Sequence, residues 1–120
     1  MIIVIVISKK EIKEIQNINF HDAEIAKIIC DYYEGTVEMP IIMDNTHRYA
    51  ALLRFESMLH IEVNRKEPWG PGMYISSVDE EDVEGDYFKV SFLLNSGDEV
   101  NIVASKMIYS SDSKVREGGI

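Results

Sequence analysis

Cysteine is nearly missing from this chain. A single residue, Cys30, among 120 can neither close an intramolecular disulfide nor assemble a thiolate metal site. A chain built without either device is expected in the reducing cytoplasm, with Cys30 as a small buried apolar side chain. The three histidines, His21, His47 and His60, are scattered without metal-ligand spacing, and no catalytic signature accompanies them. Long apolar runs are absent too. MIIVIVI, positions 1–7, stops at Ser8 and Lys9, has no basic residue ahead of it, and falls far short of the ~20 residues that cross a bilayer. Its Ile and Val content predicts a buried strand instead.

Positive charge is scarce as well. Twelve Lys and Arg face 21 Asp and Glu, for a net charge of −9 and a pI near 4.7. Phosphate backbones and anionic membranes are held by cationic side chains, so neither nucleic acid nor membrane is an expected partner. A basic protein is the natural one. At 46% hydrophobic residues the 120-residue chain can bury a core, and one domain over 1–120 is expected, with a polar, Gly-rich tail over 110–120 that frays.

What the chain does have is concentrated between Lys66 and Ala104. Phe88, Val90, Phe92 and Leu94 alternate with Lys89, Ser91 and Leu93, and the alternation resumes at Val100, Ile102 and Ala104. Asn95, Ser96, Gly97 and Asp98 between them predict a hairpin whose turn places Gly97 at positive φ. Upstream, EPWGPG brackets Trp69 with Pro68 and Pro71, which predicts a rigid loop before a new extended run at Tyr74, Ile75 and Val78. Between these features, DEEDVEGD sets Asp79, Glu80, Glu81, Asp82, Glu84 and Asp86 within eight positions. Their repulsion predicts a solvated connection, either a solubilising loop or a docking surface for a basic partner. Trp69 and Tyr74 beside it have the composition of an interface anchor with a charged rim, although aromatics of this kind also fill cores. The run lacks the spacing of an EF-hand, and NSGDEV offers an acid where a phosphate needs donors, so no metal or cofactor is expected.

Elsewhere, Ser8 and Glu11 have the form of a capping box, and Ile12 with Ile15 predicts a short helix ending near Asn17. Phe20 to Met43 fits two patterns. Ile25, Ile28, Ile29 and Tyr32 make a helical stripe closed by Gly35. Alternatively, Ala26, Ile28, Cys30 and Tyr32 alternate against Val37, Met39, Ile41 and Met43 across a turn at Glu34 and Gly35, with Pro40 at an edge or bulge. Beyond the polar turn Asp44–Asn45–Thr46, Tyr49, Ala51, Leu53 and Phe55 form another strand. After a bend near Glu56 and Ser57, Leu59, Ile61 and Val63 form one more.

The order of these features resembles small bacterial immunity proteins of polymorphic toxin and contact-dependent growth inhibition systems. The resemblance rests on FHDAEI at 20–25, LLRFESMLHIEV at 52–63 and the late strand pair, over about 19–107. It favours the hairpin over the helix for Phe20–Met43. Strand following strand at short intervals as far as Met107 predicts an α+β, mainly β fold: a single curved, half-barrel-like antiparallel sheet of about six or seven strands with one short N-terminal helix.

Such proteins bind a cognate toxin and block it. The chain is therefore expected to be a non-enzymatic binder of a toxin domain with a basic surface, a nuclease for preference. Its contacts would come from Trp69, Tyr74, Asp79, Glu80, Glu81, Asp82, Glu84 and Asp86. Two rivals stay open: a small hydrolase or metal-dependent enzyme using His21 or His60 with a carboxylate, which needs a concave pocket, and an acidic mimic of nucleic acid.

Overall fold

Alternation of apolar and polar residues governs most of the chain. The computed structural model, which describes residues 2–66 and 74–112, turns that alternation into antiparallel strands. In order they are β1 (Ile2–Ile7), a 3₁₀ segment (Lys9–Asn17), β2 (Glu24–Ile25), β3 (Ile29–Asp31), β4 (Thr36–Asp44) and β5 (Arg48–Glu56). They continue with β6 (His60–Val63), β7 (Ile75–Asp82), β8 (Phe88–Leu94), β9 (Glu99–Ala104) and β10 (Lys106–Asp112). The mainly β class with one short helix holds. The strands are shared between two sheets, however, where one was expected. One has six strands, ordered β1-β10-β5-β4-β2 with β3 also on β4, and the other four, ordered β6-β9-β8-β7.

The division arises at a corner. β5 leaves the larger sheet through Ser57, whose φ of +55° turns the chain sharply, and continues as β6 in the smaller one. Beside it, β9 crosses the other way through Ser105, whose amide donates to the Glu56 carbonyl at 3.1 Å. A flat sheet of this many twisted strands cannot cover its own apolar face; folding it over lets the two inner faces bury each other.

The inner faces meet in one core. Phe55 of the larger sheet and Phe92 of the smaller pack edge to face with centroids 6.4 Å apart, and Phe20 bridges Phe92 and Tyr109 at 6.2 Å each. Val37, Met39, Ile41 and Met43 point inward along β4, as do Ile75, Val90, Ile102 and Met107 on their strands. FHDAEI is the seam between the sheets. Phe20 and Ala23 are buried, the Asp22 amide donates to the Ile75 carbonyl, and the Ile75 amide returns a bond to Ala23, each 2.8 Å. Glu24 and Ile25 then pair with Ile42 and Ile41.

The 3₁₀ segment runs from Ser8 as foreseen and buries Ile12 and Ile15. The Glu11 carboxylate accepts from the Ser8 amide at 3.1 Å and from its hydroxyl at 2.6 Å, and these bonds hold its pKa below the usual carboxylate range. Residues 20–43 form the hairpin rather than the helix. Its first arm is broken into β2 and β3, and the turn at Gly35 (φ +70°) is closed by the Gly35 amide on the Asp31 carbonyl. Pro40 lies where that arm is broken. Its carbonyl accepts from Ala26 on that side, and because amide and carbonyl of one residue point the same way in an antiparallel ladder, its missing N–H costs β5 nothing.

Three further expectations are corrected. β1 is not a buried strand: among the described residues it is a sheet edge, where Ile7 joins the core but Ile2, Val4 and Val6 face outward and are exposed. Cys30 is exposed, because β3 is a short strand at the rim. Asp79 to Asp82 belong to β7 rather than to a loop; an edge strand keeps each carboxylate in contact with water, so repulsion does not oppose the ladder. EPWGPG, Trp69 included, and the expected fray beyond 112 lie outside the described residues.

Candidate functional site

Strand register sorts the charged residues onto faces. On the outer side of the four-stranded sheet, Asp79 of β7 lies opposite Ser91, Ser91 opposite Asn101, and Asn101 opposite Glu62. The next row is Glu81, Lys89, Val103 and His60, and on the other side Glu99 faces Leu93. Among the described residues, four carboxylates of these strands thus share one face with a single lysine. Asn101 organises two of them, donating its amide to Glu62 at 3.1 Å and to Glu99 at 3.4 Å.

The outer face of the six-stranded sheet is different in kind. Four of its acids are matched: Arg54 reaches Glu38 at 2.7 Å and Glu56 at 3.1 Å, Lys106 lies 3.8 Å from Glu56, and Arg48 lies 3.3 Å from Glu24 and 3.7 Å from Asp44. The bonds to Glu56 and Glu38 raise the pKa of Arg54 above its ordinary value. Half-exposed pairs of this sort contribute little to stability, but they cancel the field of the carboxylates. Uncancelled acid therefore gathers on the smaller sheet.

The expected site residues are only partly brought together. Asp79 and Glu81 join the acidic face. Glu80 and Asp82 alternate to the other side of β7, where Glu80 accepts from Gln16 of the 3₁₀ segment at 2.5 Å. Glu84 and Asp86 sit in the exposed β7–β8 turn, which Lys9 holds from outside by donating to the Val83 and Gly85 carbonyls. Tyr74 is half-buried and locked to the β8–β9 turn, its carbonyl accepting from Asn95 at 2.9 Å and its amide donating to the Asn95 side chain at 3.2 Å.

Glu62 and Glu99 were missed. Both occupy the polar parity of strands that the alternation had already located; the hairpin register was a signal for Glu99, whereas Glu62 reaches this face through the non-local pairing of β6 with β9. A more exposed aromatic pair was missed as well. Tyr32 and Tyr33 lie in the β3–β4 turn, each 92% exposed, although Tyr32 had been counted as an arm residue. That turn abuts the corner next to β6, since the Met58 amide donates to the Gly35 carbonyl at 2.8 Å, and Leu59 beside it is also exposed.

The histidines do not converge. His21 is exposed, bonded through Nδ1 to the Ser76 carbonyl at 3.2 Å, with Nε2 3.6 Å from Asp22. It lines a hollow of about 430 Å³ between the 3₁₀ segment and β7, together with Gln16, Asn19, Ser77 and Asp79. His47 leans on Tyr49 at 5.1 Å and His60 is exposed on β6. Among the described residues, no three His, Cys, Asp or Glu side chains are grouped to hold a metal, and no helix is long and apolar enough to cross a membrane.

No protein-family model matches this chain, and no curated protein matches it in sequence. An uncharacterized protein from Neisseria gonorrhoeae, known from its crystal structure, is similar in fold: the TM-score is 0.56 over 91% of this chain and 96% of that one, at 12% sequence identity. The architecture is thus shared with a natural protein of nearly the same extent.

Proposed function

We propose that this protein is an immunity-type binder that neutralises a cognate bacterial toxin domain by seating a basic surface of the toxin on the outer face of the four-stranded sheet. The observation that carries the reading is the concentration of Glu62, Asp79, Glu81 and Glu99 on one sheet face with, among the described residues of its strands, only Lys89 between them. A rigid sheet holds carboxylates in fixed positions, so a cationic partner meets a preorganised field rather than a mobile loop. The carboxylates steer the encounter and reject acidic competitors. Tyr32, Tyr33 and Leu59, at the rim near β6, supply the apolar area whose desolvation slows dissociation. A nuclease suits this surface well, because a protein that grips phosphate presents the cations the face requires.

The test is calorimetric titration with the toxin domain encoded beside this protein's gene, catalytically inactivated for expression. Binding at or below micromolar dissociation constant, with inhibition of the active toxin, supports the reading. An absence of heat at micromolar concentration removes it.

A further inference from the structure

Each sheet has two edges, and three of the four carry a device that discourages further pairing. β7 bears Asp79, Glu80, Glu81 and Asp82 and begins with a register shift between Ile75 and Ser77. β6 is four residues long and includes His60 and Glu62. The edge opposite β1 is broken into β2 and β3, of two and three residues. Charge, shortness and irregularity are the usual means by which proteins blunt an exposed strand.

β1 has none of them. It runs six residues, Ile2 to Ile7, without a charge, a proline or a shift in its register against β10. Ile2, Val4 and Val6 are 72%, 57% and 53% exposed on its outward side. One flank of its backbone bonds β10; the other is, among the described residues, a sheet edge. This apolar stripe continues inward across the sheet as half-buried Ile108 and Leu52.

We propose that β1 pairs antiparallel with β1 of a second copy of this chain about a two-fold axis near Val4, joining the two six-stranded sheets into one. Chains of net charge −9 repel, so contact between two copies is least opposed where acid is absent, and β1 itself carries none. Antiparallel pairing places the Lys9–Lys10 end of each copy beside the Ile2 end of its mate, so the acidic Glu84–Asp86 turns that Lys9 holds at those ends lie apart. A two-fold axis normal to the sheet keeps outward residues on one side, which extends the Ile2–Val4–Val6 stripe into its equivalent. The edge belongs to the six-stranded sheet and the acidic face to the other, so pairing along β1 uses none of that face's residues on either copy.

Sedimentation of the full chain across the micromolar range tests the pairing. The expected result is a reversible dimer of twice 13.7 kDa. Val4→Lys and Val6→Lys, each at an outward position that tolerates a polar side chain, should each weaken it about tenfold or more while the circular dichroism stays that of the native fold. Independently of any variant, hydrogen exchange at residues 2–7 should quicken as the unaltered protein is diluted. A monomer throughout, or a dimer indifferent to both lysines, overturns the proposal. So does a monomer whose 2–7 amides are already protected, which would assign the edge to residues 113–120 of the same chain.

Discussion

The ammonium of Lys9 lies 2.6 Å from the carbonyl oxygen of Gly85, 76 positions away, and donates to the Val83 carbonyl as well. One cation at the start of the 3₁₀ segment thereby holds the turn that carries Glu84 and Asp86. Gly85, at φ +69°, gives that turn its left-handed step.

Lys9→Met keeps the aliphatic stem and removes the donor. It should speed amide exchange over 83–87 while lowering global stability by only about 1 kcal/mol. Exchange that does not change would mean the turn holds itself.

Phe92 touches Phe20 and Phe55, and through Phe20 the core reaches Tyr109 on the other sheet. Phe92→Ala should cost about 3–5 kcal/mol in urea unfolding, as large core deletions do. Leu93→Ala, one position along but outward-facing, should cost well under 1 kcal/mol. Equal effects would contradict the assignment of faces.

These faces mark the limit of what could be read in advance. Phe88 to Ala104 announced itself because two amphipathic runs flank a turn with Gly97, which does adopt φ +94°. Ser8, Ile12 and Ile15 were legible for the same local reasons. The corner was not. Its bend near Ser57 was visible, but nothing local distinguishes a bend within a sheet from a passage between two. β1 misled because Ile and Val mark a strand without saying whether it lies at a centre or an edge. The acidic run misled because repulsion was weighed against packing, whereas an edge strand exposes its side chains while its backbone pairs. The acidic face itself draws on β6, β7 and β9, so only the register could assemble it.

Tyr109 is buried, and burial pushes its phenol up from 10.0 to about 12. A pKa raised in the folded state leaves its stability in full below pH 10 and removes it as pH climbs toward 12, where the unfolded chain gains from ionising first. Absorbance titration of the six tyrosines should therefore show a late phenol near pH 12, or one that ionises only with unfolding. A titration in which no phenol is delayed toward pH 12 would place Tyr109 in water. Alkaline unfolding should be postponed in Tyr109→Phe, whose ring cannot ionise.

Tyr33, exposed at the β3–β4 turn, has no core to lose. Tyr33→Ala should leave the melting temperature nearly unchanged and raise the rate of toxin dissociation about tenfold. A dissociation rate that does not move would remove the turn from the interface.

The most direct measurement is the association rate with the basic toxin domain at low and high salt, for the unaltered protein and for a variant with Glu62→Gln, Asp79→Asn, Glu81→Gln and Glu99→Gln. The account predicts on-rates about tenfold lower or more at low salt for the variant, a flattened salt dependence and little change in stability. A control carrying Glu38→Gln, on the ion-paired sheet, should associate like the unaltered protein. An on-rate untouched by loss of the four carboxylates would contradict the claim that this face receives the partner.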